Sequence, residues 1–316
     1  MELIRGLHNV RPRHRGAAVT IGNFDGVHRG HRAMVARLRE HARRLGCPAV
    51  VITFEPHPME RLAPQRAPER LTGLREKLRR LEGLGVDAVV CLRFDQALAG
   101  MVAEAFAAEL LAEHLGVRHV LVGDDFRFGR ARQGDLELLE AVGQRRGFTV
   151  EPMPTVAQDG ERVSSTRIRR AVAAGELALA GELLGEPYCV QGRVIHGDAM
   201  GRQLGWPTAN LRLNPPRTPL NGIYAGWAYG AGLDGWPTAI SVGVRPTVGG
   251  RQTVFEAHLI DYSGNLYGRH LCVEPVTRLR GEEHFAGLDA LAAQIGEDVR
   301  AARRVLGKDQ RDEAAT

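Results

Sequence analysis

Residues 17–31 read AAVTIGNFDGVHRGH, an apolar run followed by a glycine-rich turn with two histidines. The run predicts a buried strand, and the residues from Gly30 onward predict an amphipathic helix. In an open parallel sheet such a turn binds ligands, because the helix N-terminus presents free N–H groups and a positive dipole end. His28 and His31 share a face of the first helical turn, where they can donate hydrogen bonds to a phosphate. Taken alone the pair is a weak signal, since two exposed histidines at a helix start would have the same spacing.

As far as residue 151, the chain alternates between short apolar runs and amphipathic stretches. Apolar runs bounded by glycine or proline predict buried strands, whereas apolar residues three and four apart predict helices. Strands that alternate with helices imply crossover connections and a parallel sheet. The first part of the chain is therefore predicted to be an α/β domain with a Rossmann-like parallel sheet. Its predicted strands are 17–21, 49–54, 86–92, 119–122 and 148–151, and its predicted helices are 30–45, 71–81, 102–115 and 135–146.

The pattern changes near the sequence LGEP at residues 184–187. Beyond it, short strand-like runs are separated by glycines and prolines, which is typical of an antiparallel barrel or sandwich. One amphipathic helix over 285–306 closes the chain, and residues 308–316 are expected to be a frayed tail. We therefore predict two domains, 1–185 and 186–316, the second mainly β. The predicted strands of the second domain are 188–194, 223–229, 238–242, 253–260 and 270–276.

The composition is that of an ordinary globular protein. Of 316 residues, 44% are hydrophobic and 25% are charged. No apolar run is long enough to span a bilayer, and the N-terminus lacks the pattern of a secretion signal, so a cytoplasmic protein is expected. A net charge of +5 invites a nucleic-acid interpretation. The arginines are spread among acidic residues, however, which favours a mixed-charge surface and anionic nucleotide ligands over a nucleic-acid or membrane partner.

The four cysteines, Cys47, Cys91, Cys189 and Cys272, are far apart in the sequence and form no CxxC pair. This spacing argues against a zinc site or a disulfide framework. We expect four buried free thiols in a reducing compartment.

Polar residues also follow later strands of the first domain. The sequence EPHP (55–58) ends one strand, GDDFRFG (123–129) ends another, and SSTRIRR (164–170) opens a helix. Loops at strand ends are where function concentrates, which makes His57, Asp124 and Asp125 candidates. A surface histidine and turn-capping aspartates are the alternatives. The hydroxyls at 164–166 can cap the helix or, with Arg167, hold a phosphate.

The densest motif of the second domain is GRVIHGDAMGRQLGWPTAN (192–210), in which glycines surround Arg202. Such a loop can wrap phosphates with backbone N–H groups, although it lacks the Gly-Lys-Ser/Thr ending of a Walker loop. Thr208 offers a hydroxyl and Asn210 a carbonyl to Mg²⁺. Glu256, inside a predicted strand, can take a proton from a hydroxyl if it faces this loop. The alternatives are a tight turn between strands and a solvated glutamate.

Taken in order, these motifs resemble the bacterial bifunctional riboflavin kinase/FAD synthetase family over nearly the whole chain. The residues similar to its adenylyltransferase module are 22–31, 54–58, 123–129 and 164–169. Those similar to its riboflavin kinase module are 201–210, 221–225, 244–247, 256–261 and 266–268.

The resemblance implies two ATP-dependent reactions. The C-terminal module would phosphorylate riboflavin to FMN, and the N-terminal module would adenylylate FMN to FAD with release of pyrophosphate. ATP is then a co-substrate, and Mg²⁺ offsets its triphosphate charge. The implied partners are the small molecules riboflavin, FMN and ATP, and the sequence leaves a homo-oligomer open.

The resemblance also implies three groups of site residues. The catalytic ones are His28, His31 and Glu256. The nucleotide-binding ones are Gly22, Asn23, Phe24, Asp25, Gly30, Arg162, Ser165, Thr166, Arg167, Gly201, Arg202, Gly205, Thr208 and Asn210. The flavin-binding ones are His57, Pro58, Asp125, Phe126 and Phe128, and the implied Mg²⁺ ligands are Thr208 and Asn210.

Two other functions fit parts of the sequence. A different nucleotidyltransferase would account for the His-x-x-His turn but would leave the Pro-Thr-Ala-Asn motif at 207–210 unexplained. A non-catalytic flavin- or RNA-binding protein would need aromatic stacking surfaces, and aromatic residues are only 5% of the chain.

Overall fold

The apolar run that precedes the glycine-rich turn forms a central strand of a parallel sheet. The computed structural model describes residues 1–198, 200–214, 217–247 and 250–313. The chain divides into two units, a first unit of Met1–Pro68 with Leu74–Ser165 and a second of Glu69–Gly73 with Thr166–Thr316.

The sheet of the first unit has the strand order β1-β4-β3-β2-β5-β6, and every neighbouring pair is parallel. The strand order reverses between β2 and β5, which makes the crevice at their carboxyl ends the expected place for a ligand. The predicted Rossmann-like parallel sheet is confirmed. The strands are β1 (Glu2–Arg5), β2 (Ala18–Ile21), β3 (Ala49–Glu55), β4 (Ala88–Arg93), β5 (His119–Gly123) and β6 (Thr149–Met153).

Helices cover both faces of this sheet. Val19 packs with Phe106 and Leu110 on one face, whereas its neighbour Ala18 packs with Leu38 on the other. Burial on both faces explains why the strands are continuous apolar runs. The helices are α1 (Arg29–Leu45), α2 (Pro58–Leu62), α3 (Leu74–Gly83), α4 (Gln96–Gly100), α5 (Ala103–Ala105), which continues as a π-helix (Phe106–His114), and α6 (Leu136–Arg146), with 3-10 turns at Leu7–Asn9, Pro12–His14, Pro64–Arg66 and Arg130–Arg132.

A two-stranded hairpin and one more helix complete this region. The hairpin consists of β7 (Ala157–Gln158) and β8 (Glu161–Arg162). The helix α7 (Ser165–Ala174) begins in the hydroxyl-rich segment, as predicted, and the division between the two units falls after Ser165.

The second unit contains a closed antiparallel barrel with the order β10-β13-β12-β11-β14-β9. Val299, Ala302 and Leu306 of the terminal helix pack on Ala225 of the barrel and on Ile260, which directly follows a barrel strand. The predicted mainly β domain with a terminal helix is confirmed. The elements are α8 (Leu177–Leu184), β9 (Val190–Ile195), α9 (Met200–Gln203), β10 (Ala209–Arg212), β11 (Gly222–Gly230), β12 (Leu233–Thr247), β13 (Gly250–Leu259), β14 (His270–Arg280) and α10 (Leu288–Glu313).

The structure corrects three expectations about secondary structure. The short strands β1 and β10 were not predicted, because charged or polar residues interrupt both of them and neither forms a continuous apolar run as β2 does. The helix α8 was also missed. The terminal helix starts later than predicted and continues to Glu313, so the expectation of fraying from residue 308 is wrong up to that point. Residues 314–316 of the predicted tail lie outside the described residues.

The expectation of four free cysteines is wrong for one pair. Cys189 and Cys272 form a disulfide, with Cα atoms 5.9 Å apart. The antiparallel pairing of β9 with β14 places Gln191 opposite Cys272 and thereby brings the two cysteines together. Their separation of 83 residues hides this contact in the sequence. Cys47 and Cys91 retain their thiols, and Cys47 is half-buried rather than buried as expected.

Among the described residues, no helix combines the length and the apolar character that crossing a membrane requires.

Candidate active sites

The turn between β2 and α1 has an unusual backbone. Phe24 and Val27 adopt positive φ angles of 49° and 44°, and Gly26 has a φ of 84°. Both side chains, and that of Asp25, are buried. Positive φ is costly for a bulky residue and more so for a β-branched one, and such strain concentrates at functional sites.

The two histidines of this turn form one unit. His28 caps α1, because its Nδ1 accepts a hydrogen bond from the backbone N–H of His31 at 3.4 Å. The two rings are stacked, with centroids 3.7 Å apart and planes at 18°. His28 is buried rather than exposed. The predicted shared face is therefore present, and the alternative of two solvated histidines does not apply.

His31 lies where it stays uncharged at neutral pH. Burial lowers its pKa well below the usual range, and the neighbouring side chains of His28, Lys77 and Arg162 lower it further. Its Nδ1 is buried and has no hydrogen-bond partner among the described residues. Buried polar atoms are almost always paired, so this nitrogen is suited to a ligand.

Gly30 allows a second segment to approach the turn. A Cβ at this position would lie 3.2 Å from Cε1 and Nδ1 of His28 and 3.6 Å from the carbonyl oxygen of Val163. Just after Val163, the Ser165 hydroxyl donates to the carbonyl oxygen of Asp25 at 2.9 Å. The structure thus joins the 22–31 turn to Ser165, whereas the predicted residues Thr166 and Arg167 belong to the second unit.

The loop after β5 contributes two aspartates with different partners. Asp124 accepts hydrogen bonds from the backbone N–H and the hydroxyl of Thr155, both at 3.1 Å. Asp125 accepts two hydrogen bonds from Arg162, at 2.5 and 2.9 Å. This pairing lowers the pKa of Asp125 and raises that of Arg162. Asp124 thus anchors its loop. Asp125 instead orients Arg162, whose charge contributes to the lowered pKa of His31.

The predicted flavin-binding residues occupy two other loops. His57 caps α2 by accepting a hydrogen bond from the Met59 N–H at 3.2 Å, and Pro58 is the first residue of that helix. Phe126 and Phe128 stack with centroids 5.4 Å apart. Phe128 is buried in the core, and Phe126 is partly buried against it.

Three charged residues of α3 were missed by the sequence analysis. Lys77 is only 3% exposed, and its Nζ lies 3.5 Å from the hydroxyl of Thr53. Arg80 donates to the carbonyl oxygen of Gly26 at 2.8 Å and to Glu76 at 2.6 Å. The available signal was a lysine within the apolar stripe of a predicted helix, where a charge needs a partner.

In the second unit, strand pairing brings the predicted kinase residues together. Asn210 of β10 lies opposite Glu256 of β13, and Glu256 also lies opposite Ser241 of β12. Side chains opposite each other on adjacent antiparallel strands share a face and are about 5 Å apart at Cβ. Glu256 therefore lies beside the Pro-Thr-Ala-Asn motif. Glu256 is half-buried rather than fully exposed.

Glycines let the preceding loop approach these residues. A Cβ on Gly197 would lie 2.5 Å from Cγ of Asn210, and one on Gly201 would lie 3.3 Å from the Thr208 hydroxyl oxygen. His258 contacts the carbonyl oxygen of Pro207 through Nδ1 at 2.8 Å and holds the motif from the next strand. Arg202 and Gly205, which has a φ of 85°, are exposed at the end of α9.

Two family models match consecutive parts of the chain. The FAD synthetase family matches residues 10–167, and the riboflavin kinase family matches residues 184–306. The His28 turn, the Asp125 loop and Arg162 lie in the first match. Thr208, Asn210 and Glu256 lie in the second.

Relatives and a solved structure extend over nearly the same length. A bifunctional riboflavin kinase/FMN adenylyltransferase from Pseudomonas fluorescens is 50% identical and covers 96% of this chain and 97% of its own. One from Escherichia coli K12 is 47% identical and covers 97% and 98%. A crystal structure described as a macrolide-efflux protein from Streptococcus pneumoniae has a TM-score of 0.77 and 29% identity, and the similarity covers 96% of this chain and 99% of that one. The chain therefore belongs to the bifunctional riboflavin kinase/FMN adenylyltransferase family.

Proposed function

We propose that the two activities of this family reside in separate parts of the chain, FMN adenylylation in residues 1–185 and riboflavin phosphorylation in residues 186–316. The observation that carries this division is the grouping of the candidate residues. His28, His31, Asp125 and Arg162 all lie in the first unit, whereas Thr208, Asn210 and Glu256 all lie in the second. The matches to FAD synthetase and riboflavin kinase follow the same order.

In the adenylylation step, a phosphate oxygen of FMN attacks the α-phosphorus of ATP and pyrophosphate leaves. Such a transfer needs positioning and charge stabilisation more than covalent catalysis. Because Nδ1 of His28 accepts the His31 N–H, the proton of the neutral His28 ring is on Nε2. That N–H and the His31 ring donate hydrogen bonds to the phosphate oxygens on which charge develops.

Positively charged and hydrogen-bonding groups around the turn stabilise the remaining negative charge of the triphosphate. Arg162 provides a planar guanidinium whose orientation Asp125 holds. Lys77 acts on the same site from α3, since its charge lowers the pKa of His31. Backbone N–H groups of residues 22–25 and Gly30, together with Ser165, complete the proposed nucleotide site within the first unit.

For FMN we propose the loops after β3 and β5. His57 and Pro58 lie at the start of α2, and Asp125, Phe126 and Phe128 follow β5. The stacked pair of Phe126 and Phe128 offers an aromatic surface, of which Phe126 is the more exposed part. An aromatic ring is a suitable neighbour for the planar isoalloxazine of a flavin.

In the kinase step, Glu256 takes the proton of the terminal ribityl hydroxyl of riboflavin, and that oxygen attacks the γ-phosphorus of ATP. ADP is the leaving group. Asn210 lies next to Glu256 across the strand pair and holds the phosphates in register with the base. Gly201, Arg202 and Gly205 precede this motif, where backbone N–H groups and a guanidinium can wrap the triphosphate.

The donors of this second site fit Mg²⁺. The Thr208 hydroxyl and the Asn210 carbonyl are hard oxygen ligands, which that ion prefers, and a carboxylate lies opposite Asn210. The space that Gly201 leaves beside the Thr208 hydroxyl keeps this oxygen approachable. When bound, Mg²⁺ neutralises triphosphate charge. Because both reactions consume ATP, we place the enzyme in the cytoplasm, with riboflavin, FMN and ATP as its small-molecule partners.

A flavin-product assay tests the division. The full-length protein is incubated with riboflavin, ATP and Mg²⁺, and riboflavin, FMN and FAD are separated over time. We expect FMN to appear first and FAD to follow, and EDTA should stop both steps. A second reaction that starts from FMN should give FAD without any need for the riboflavin kinase step. Absence of any flavin product would contradict both assignments, and loss of both steps from one site substitution would contradict their separation.

A further inference from the structure

A second cluster of ligating side chains lies at the opposite end of the sheet from the nucleotide turn. One ligand atom from each of His41, His119 and Glu151 lies within 4.8 Å of the others. His119 is the first residue of β5, whereas the Asp125 loop follows its last residue, Gly123. At about 3.3 Å per residue, these ends are roughly 13 Å apart. The cluster is therefore separate from the proposed adenylylation site.

His119 is already oriented as a ligand. It is only 4% exposed, and its Nδ1 lies 2.8 Å from the Thr149 hydroxyl. That hydroxyl donates to the carbonyl oxygen of Arg118 at 3.3 Å, so it accepts the Nδ1–H of His119. The lone pair is thus on Nε2, which is buried and has no hydrogen-bond partner among the described residues. A histidine whose other ring nitrogen is held by an outer hydrogen bond is the usual arrangement of a metal ligand.

The other two groups converge on this nitrogen. Nε2 of His41 lies 2.9 Å from Oε2 of Glu151. The rings of His41 and His119 are stacked, with centroids 4.2 Å apart. Tetrahedral zinc with bonds near 2.0–2.1 Å separates its ligand atoms by roughly 3.3 Å. The ligand atoms of this cluster, one pair of which is 2.9 Å apart, all lie within 4.8 Å of one another.

Two arginines border the cluster and must be accommodated. Arg37 donates its Nε to Oε1 of Glu151 at 3.0 Å, which leaves Oε2 facing His41. Arg44 places Nη2 3.0 Å from Nδ1 and 3.1 Å from Nε2 of His41. Both arginines are exposed on the outer side of α1, so Arg44 can turn into solvent when a cation occupies the cluster.

We propose that His41, His119 and Glu151 bind one Zn²⁺ ion, with water as the fourth ligand. Two imidazoles and one carboxylate are a zinc donor set, and the ion would tie the end of α1 to β5 and β6. The two arginines lower the affinity but leave all three ligand atoms in place.

The test is direct metal binding to the full-length protein in the absence of ATP. After treatment with a chelator and its removal, the protein is titrated with Zn²⁺ by calorimetry and with Co²⁺ by visible absorption. We expect one equivalent to bind and the thermal midpoint to rise, because an ion that binds only the folded state stabilises it. His41→Gln and His119→Gln should abolish this binding.

Three further variants make the result specific. Thr149→Val removes only the outer hydrogen bond and should weaken binding about 10- to 100-fold. His114→Gln changes an exposed histidine outside the cluster and should leave binding unchanged. His28→Asn should also keep the ion, which excludes the histidine pair of the nucleotide turn as its site.

If His119→Gln does not fold, His41→Gln alone tests the Zn²⁺ site. The His41 side chain is 12% exposed on a helix, so its replacement should disturb folding little. Absence of a one-to-one Zn²⁺ complex in the unmodified protein would overturn the proposal. Zn²⁺ binding by folded His41→Gln that equals binding by the unmodified protein would overturn it as well.

Discussion

Asn210 lies directly opposite Glu256, where β10 pairs antiparallel with β13. The pairing places an amide that can hold phosphates and a carboxylate that can accept a proton on one face of the barrel wall. A base and a phosphate-binding group must lie this close if a hydroxyl is to be deprotonated while it attacks a phosphorus atom.

Glu256→Gln should stop FMN formation but leave FAD synthesis from added FMN intact. The substitution keeps the size of the side chain and removes the base, which typically costs about 10²- to 10⁴-fold in rate. The two rates are measured separately by flavin chromatography. Glu283→Gln, an exposed glutamate in the same unit, serves as the matched control. Equal loss of both activities would show that Glu256 is structural.

His28→Asn should let FMN accumulate with little FAD. Asparagine retains a side-chain acceptor at the N-cap of α1, so the helix start should remain stable. The substitution removes the imidazole N–H that we assign to the phosphate. The rate of FAD formation is therefore expected to fall about 10²- to 10³-fold. Thermal unfolding and FAD formation from FMN distinguish the two roles. A large fall in the thermal midpoint would mean that capping is the main role of His28.

Gly197→Ala should weaken riboflavin phosphorylation without affecting FAD synthesis from FMN. The added methyl group would lie 2.5 Å from Cγ of Asn210, so that the amide must move out of register with Glu256. Gly205 is not a suitable control because of its positive φ. Gly287→Ala is suitable, since a Cβ there meets nothing within 4 Å. Unchanged KM for ATP and kcat in Gly197→Ala would remove Asn210 from the kinase site.

Arg162→Lys should lower the rate of FAD formation nearly as much as Arg162→Ala. Lysine keeps the charge but cannot form the two parallel hydrogen bonds that Asp125 accepts from the guanidinium. Because the pair is largely exposed, we expect either variant to change the free energy of unfolding by less than about 1 kcal/mol. Full activity of Arg162→Lys would show that only the charge matters.

The stability of the protein should fall as the pH drops below about 6.5, in part through His31. In the unfolded chain this histidine takes up a proton near its ordinary pKa of about 6.5, whereas burial keeps it neutral in the folded state. The unfolded state therefore binds more protons below that pH, and acid favours it. Urea unfolding at pH 5 and pH 7 should show a smaller difference for His31→Gln than for the unmodified protein. An equal difference would mean that His31 is protonated in the folded state.

The regular elements of the first unit could be predicted because their patterns are strong. Continuous apolar runs gave β3 and β5, and a clear helical stripe gave α1. The strands β1 and β10 could not be predicted, because neither is a continuous apolar run and their partners are distant in sequence.

Hydrophobic periodicity also does not predict which distant segments contact each other. Nothing in the spacing of Cys189 and Cys272 shows that β9 and β14 are neighbours. The register that joins Asn210 to Glu256 likewise depends on the closed barrel. The resemblance to a known family implied Asn210 and Glu256 as candidates, and the strand pairing explains physically why these two residues lie together. Lys77 was missed because a lysine beside an apolar stripe is equally typical of an ordinary amphipathic helix.

The closing strand of the barrel determines the order in which the two units can fold during protein synthesis. Both β9 and β11 pair with β14, which is the last strand to be made. A nascent chain that ends before His270 already contains every strand of the parallel sheet, yet two barrel strands still lack a neighbour. Since domains generally fold as units during translation, the FAD-forming part can fold on the ribosome while the riboflavin kinase part waits for its final strand.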